Sequence, residues 1–174
     1  MEFRWLARKE LEKLKQIDRK ELVEEVYYVR DQELRLVREF YDIDGWLESE
    51  LGLYLQRLQS VFDGEGVIIG AFDDNVLVGI VSLEGYLIHG KTMKLDMLYV
   101  SHGYRKQGLG RRLVDIASQE AMELGASELY ISATPVRNTV DFYMRLGANL
   151  AIPPDAYLFE LEPLDIHLIL SIGK

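Results

Sequence analysis

The stretch Leu98-Tyr99-Val100-Ser101-His102-Gly103-Tyr104-Arg105-Lys106-Gln107-Gly108-Leu109-Gly110-Arg111-Arg112-Leu113 constrains this chain more than any other. An apolar run with strand character passes into a short basic loop that contains glycines. The loop opens directly onto a segment of helical periodicity. A helix leaves its first backbone N–H groups unsatisfied and carries partial positive charge at that end. Arg105, Lys106, Arg111 and Arg112 stand at the same end. Cations ordinarily favour the other terminus, so the placement is unfavourable unless an anion shares the site. The segment therefore reads as a cradle for a phosphate or diphosphate. The plainer alternative, a solvated helix start, gives no reason for the cations or the glycines.

Gly108 and Gly110 lack Cβ atoms, which lets a phosphate approach the backbone. The N–H groups from Gln107 to Arg111, including that of Leu109, would form the nest, with Arg105 and Lys106 adding charge at its rim. The simpler reading of the glycines is close helix–strand packing. A dinucleotide fingerprint would need the strand to lead almost directly into Gly-x-Gly-x-x-Gly. Here the strand ends near Val100, and Leu113 stands at the third glycine position. A Walker loop would need Gly-Lys-Ser/Thr, which the chain lacks.

The 174 residues suggest one domain over 1–174, and 48% apolar content suffices for a core. With no cysteine, disulfides and cysteine zinc sites are excluded. His89, His102 and His167 show no ligand spacing, so no metal is expected. The net charge of −9 argues against nonspecific nucleic-acid binding. Charge at a distance is screened beyond about 8 Å at physiological salt, so the local basic cluster governs its own site. The N-terminus does not read as a secretory signal and no apolar run reaches membrane-span length, so a cytoplasmic protein without membrane association is expected.

Periodicity predicts a short strand over 3–6 and a helix over 9–22 with Leu11, Leu14 and Ile17 on one face. Val26–Val29 and Leu34–Val37 form a hairpin around Asp31-Gln32. A helix is expected over 45–62 and strands over 67–72 and 76–83, with Gly79 marking a bulge. Residues 94–100 form the strand before the basic loop. The loop helix runs to about Leu124, where Gly125 ends it. A strand follows over 128–133, then a helix over 138–146 with Asn138 as N-cap and Gly147 as its stop. The tail reads as a helix over 155–161 and a buried strand over 166–170. Early helices and hairpins followed by strand–helix–strand–helix predict an α/β (α+β) fold: a mixed, mostly antiparallel central sheet with helices on both faces.

Arg105-x-x-Gly108-x-Gly110 after an apolar strand resembles the acetyl-coenzyme A loop of the GNAT N-acetyltransferase superfamily. A second motif, Asn138-Thr139-Val140-Asp141-Phe142-Tyr143-Met144-Arg145-Leu146-Gly147, is similar to the family's Asn-x-x-x-Phe-Tyr-x-x-x-Gly segment. The two occur in the family's order with a strand between them, and the likeness covers 67–150. His102 stands where the family often has proline, and Lys106 where it often has glycine. The first sixty residues are similar only in general character.

The resemblance implies an acetyl-coenzyme A-dependent N-acetyltransferase acting on a primary amine by direct attack. It implies that exposed backbone around Leu98, Tyr99 and Val100 pairs with the pantetheine arm, as a peptide adds to a sheet edge. Asn138 would touch the cofactor. Tyr143 would donate a proton to the departing thiolate; a phenol near 10 and a thiol near 8.5 are closely matched. Core packing is the plain alternative for Tyr143, and helix capping for Asn138. The amine must lose a proton, and Asp96 is the nearest acid and Glu84 the second, each with a solvated or salt-bridged surface acid as its plain alternative; a water chain or a weakly basic substrate amine would need neither. The acceptor is a small-molecule or peptide amine of unread identity, and the protein is a monomer or a homodimer. The competing function is an acyl-coenzyme A-binding sensor or interaction module without catalysis.

Overall fold

The computed structural model describes residues 1–173. Seven strands form one sheet in the order β1-β4-β5-β6-β7-β9-β8. They are β1 (Glu2–Trp5), β4 (Val67–Asp73), β5 (Val76–Ile88), β6 (Thr92–Val100), β7 (Glu128–Ala133), β8 (Asn149–Leu150) and β9 (Ile166–Ser171). All neighbouring pairs are antiparallel except β6–β7, which is parallel. That single parallel pair requires a crossover, and α2 (Leu109–Glu123) supplies it. The expected fold class is the observed one.

Both faces of the sheet are covered, as alternating apolar residues demand. Leu109, Leu113, Ala117 and Ala121 of α2, with Val140 and Tyr143 of α3 (Arg137–Arg145), pack on Val81, Leu83, Leu95 and Ile131. On the other face, a 3-10 helix over Arg8–Gln16 and α1 (Glu48–Asp63) bury Leu11, Leu14, Leu58 and Val61 against Ile68, Ile80 and Met97. Leu113 lies against Gly79, where an added Cβ would stand 3.0 Å from the leucine's Cδ1. Gly79 also flanks the expected bulge, for Ala71 pairs with Gly79 and Phe72 with Leu77, leaving Val78 extra.

Several boundaries differ from expectation. The first helix stops at Gln16 instead of running to 22. Asp18 is captured by the sheet: its N–H donates to Ser101 Oγ at 3.0 Å, and its carbonyl accepts from His102 N–H at 2.8 Å. The released residues join a longer hairpin of β2 (Glu21–Arg30) and β3 (Glu33–Ile43). Asp31 and Gln32 both take positive φ, so this pair makes the tight turn although it lacks glycine. β5 reaches Ile88, well past 83, and α1 begins at Glu48. α3 begins at Arg137 with Val136 as its N-cap, so Asn138 is not the cap. α4 (Ala156–Leu161) is capped by Asp155, whose side chain accepts from Leu158 N–H.

Candidate active site

The basic loop bends where glycine permits. Gly108 takes φ +85° and caps α2, and Lys106 is also at positive φ. No side chain caps the helix, and the first helical bond is donated by Arg112 N–H to Gly108 C=O at 3.0 Å. The N–H groups of Leu109, Gly110 and Arg111 therefore precede the ladder. A cavity of about 230 Å³ lies here, lined by Met1, Phe3, Tyr104, Gln107, Gly108, Leu109 and Arg112. The two glycines have different reasons. An added Cβ on Gly108 meets open space, whereas one on Gly110 would stand 3.3 Å from Phe142 Cζ and 3.7 Å from Val100 Cγ2. Gly110 thus serves close packing between α2, α3 and β6.

Arg105 is not a free rim cation. Its Nε donates to Val100 C=O at 2.9 Å and its Nη1 to Lys20 C=O at 3.0 Å, and it pairs with Glu21 at 3.7 Å. It ties the loop to the start of β2. Lys106, Arg111 and Arg112 remain exposed around the cavity end of α2.

The strand before the loop parts from its neighbour. β6 and β7 pair from Thr92↔Glu128 to Leu95↔Ile131, and the pairing then stops. Beyond it, Met97, Leu98, Tyr99 and Val100 pair only with β5, and Ser132 and Ala133 only with β9. A V opens between two strands that are each supported on the far side. β6 is bulged at the vertex, because Ser82 pairs with Met97 and Leu83 with Leu95, which leaves Asp96 extra. Leu98 and Val100 lean on the α2 core, while Tyr99 turns to the α1 face among Trp46 and Tyr54, with Arg19 above all three rings. Burial, first, pushes the Tyr99 phenol well above its ordinary range.

Asp96 and Ser132 are the first residues past the last β6–β7 pair, and Asp96 Oδ2 and Ser132 Oγ are buried without hydrogen-bond partners. Two further oxygens lack hydrogen-bond partners, Ser82 Oγ on the β5 residue paired with Met97, and Glu162 Oε2. The Asp96 side chain is 1% exposed; its Oδ1 accepts from Arg57 Nε at 2.8 Å and lies 3.4 Å from Lys94 Nζ. Arg57 also reaches Glu162 at 3.0 Å, and Lys94 reaches Glu162 Oε2 at 3.6 Å. Burial acts to raise Glu162, but the Lys94 and Arg57 charges outweigh it and hold the carboxyl below its usual range. Glu84 is raised by burial and by the Asp96 charge, and Asp165 is raised to about 6 by burial and by Glu162. Two cations thus face four carboxylates, with more negative charge than the cluster itself neutralises.

Tyr143 is 4% exposed, beside Phe142, and burial alone pushes its phenol above the ordinary range. The match to a thiol in water is therefore wider than free-solution values suggest, although a thiolate buried beside it would be raised by the same physics. Asn138 is exposed on the first turn of α3. Among the described residues, no group of three or more His, Cys, Asp or Glu side chains is arranged to hold a metal. Among the same described residues, no helix is long and apolar enough to cross a membrane.

Sequence reasoning missed Arg57, Lys94, Glu162 and Asp165. One signal was present for Arg57, which stands three residues after Tyr54 and four before Val61, on the apolar stripe of α1. Lys94 alternates with buried Met93 and Leu95 and reads as solvent-facing, yet it is buried and meets Glu162, just beyond α4.

A sequence model described as the acetyltransferase (GNAT) family matches residues 20–148. No curated protein matches the sequence. Among solved structures, nourseothricin acetyltransferase is 19% identical, with 99% of this chain and 98% of that one covered and a TM-score of 0.73. PaiA N-acetyltransferase from Thermoplasma acidophilum, solved with coenzyme A, is 17% identical over 98% of each chain, with a TM-score of 0.63. The ribosomal-protein-S18-alanine N-acetyltransferase from Escherichia coli is 16% identical over 99% of this chain and 94% of its own, also with a TM-score of 0.63. These likenesses are of fold. The family match itself begins at residue 20 and so takes in the β2–β3 hairpin and α1, a region whose sequence resembles the family only in general character.

Proposed function

The chain belongs to the GNAT acetyltransferase family, and on that premise we propose that it is an acetyl-coenzyme A-dependent N-acetyltransferase acting on a primary amine by direct attack. The observation that carries this reading is the V between β6 and β7, whose β6 arm runs into the uncapped start of α2. Coenzyme A-bound structures among the neighbours support the choice of donor. The residues present fit that donor: Gly108 is open where a phosphate would approach the free helix end.

Bound acetyl-coenzyme A would supply the activated acyl group as a thioester. The backbone from Gln107 to Arg111 holds the diphosphate, with Lys106 adding charge. The edge of β6 at Leu98, Tyr99 and Val100 receives the pantetheine arm by backbone hydrogen bonds. Asp96 Oδ2, at the vertex, orients the acceptor amine, because it is a buried acceptor in want of a donor. Asp96 Oδ1 is already committed to Arg57, so the Asp96 carboxylate is held in place while Oδ2 takes the amine proton or passes it toward Glu84. The raised Glu84 carboxyl suits that second role. Tyr143 delivers a proton to the leaving sulfur, and Asn138 stands on the cofactor side. The surplus of carboxylates, with the net charge of −9, draws cationic amines toward the site.

The test is thiol release from acetyl-coenzyme A across a panel of amines, run beside calorimetric titration of the cofactor. Binding with amine-dependent release is the expected result. Binding without release from any amine would favour a non-catalytic acyl-coenzyme A module, and absence of binding would overturn the reading altogether.

A further inference from the structure

The β2–β3 sheet stands apart from the seven-stranded sheet. β2 fastens it to the body: Tyr27 N–H donates to Pro135 C=O at 2.7 Å, Val26 bridges to Val136, and the Tyr27 hydroxyl donates to Asp141. β3 is the free edge of that sheet. It runs for eleven residues without proline, and Leu36, Val37, Phe40 and Tyr41 are exposed, Phe40 at 69%. A long, apolar, unpaired edge is a template for another strand.

The sequence of this edge is complementary to itself. Laid antiparallel against a second copy, with the two-fold axis at Arg38, Leu34 faces Ile43, Arg35 faces Asp42, Leu36 faces Tyr41 and Val37 faces the Glu39–Phe40 place, while the exposed Arg38 side chains of the two copies meet at the axis. Away from the axis apolar residues meet apolar ones and Arg35 meets Asp42, and symmetry makes each of these pairings twice. In a regular strand this register would fail, because residues facing one another must point to the same side of the sheet. β3 is not regular. Val23 pairs with Tyr41 and Glu25 with Arg38, so Glu39 and Phe40 share the place opposite Glu24. That bulge reverses the alternation. It puts Leu34, Leu36, Tyr41 and Ile43 on one side and Arg35, Val37 and Asp42 on the other, the phase that self-pairing requires.

We propose that β3 pairs with β3 of a second copy of this chain, antiparallel about that axis, giving a continuous β2–β3–β3–β2 sheet across a two-fold dimer. Arg35 is paired with Glu33 within its own strand, and both are exposed, so the cation can turn to the neighbouring Asp42 at little cost.

Sedimentation velocity on the full chain at micromolar concentration tests this with three samples besides the wild type: Arg35→Asp, Asp42→Arg, and their equimolar mixture. The wild type sediments as a dimer. Each single variant sets like charges opposite one another twice and weakens the dimer by roughly tenfold or more. The mixture restores it, because both cross pairs are then of opposite sign, a recovery that misfolded variants would not give. A monomeric wild type, single variants as dimeric as the wild type, or a mixture that stays monomeric would overturn the proposal.

Discussion

Tyr143 shows how a single side chain separates chemistry from packing. Its hydroxyl is the only part that Tyr143→Phe removes, and burial is the only cause of its raised titration. The variant is expected to keep its melting temperature and its cofactor affinity while losing about 10²-fold or more in turnover. Unchanged turnover in a steady-state assay would leave Tyr143 as a core residue. Asp96 behaves differently, since Asp96→Asn leaves Arg57 and Lys94 with one fewer counter-charge. A loss of roughly 2–3 kcal/mol in denaturant unfolding is expected, below the fully buried range because Arg57 is partly exposed. Both residues were legible in the sequence as candidates. The partners of Asp96 were not, because a bulge in β6 and a turn after α4 bring together residues far apart in the chain. Asn138 was legible only as a motif letter, and its capping role went to the backbone of Val136.

At the scale of elements, the strand–loop–helix unit was readable because its cause is local. Glycine, φ and the helix end are properties of a few consecutive residues. The two glycines of the loop nevertheless separate once their surroundings are known. Gly108→Val places a β-branched residue at φ +85° and costs roughly 1–2 kcal/mol as well as filling the cradle. Gly110→Val instead pushes α2 away from Phe142 and is expected to lower the melting temperature more than it lowers intrinsic cofactor affinity. Comparing thermal melts with binding isotherms for the pair distinguishes the two roles. The first helix was overextended in the sequence reading, because helical spacing over 17–22 competes with hydrogen bonds to Ser101 and His102 that only tertiary structure reveals. The hairpin turn was legible at Asp31-Gln32, and its length was not.

For the molecule as a whole, alternation of apolar residues announced a two-faced mixed sheet, and the strand order came from the fold alone, since adjacency of β7 and β9 has no local signature. The carboxylate surplus around the vertex gives the whole chain a pH signature. Asp165 titrates near 6 when folded, above its ordinary value near 4. The folded state therefore binds more protons between those values, and this group's contribution to stability falls as pH rises through that window and stays reduced above it. Asp165→Asn should melt higher than the wild type at pH 8 and no higher at pH 3; an equal difference at both would contradict the account. The proposed function stands on the uncapped start of α2 holding the diphosphate of coenzyme A. Its most direct measurement is calorimetric titration of coenzyme A into the wild type and into Gly108→Val, with circular dichroism showing both folded. Submillimolar binding by the wild type and loss of binding in the variant are predicted, and equal affinity in the two would contradict it.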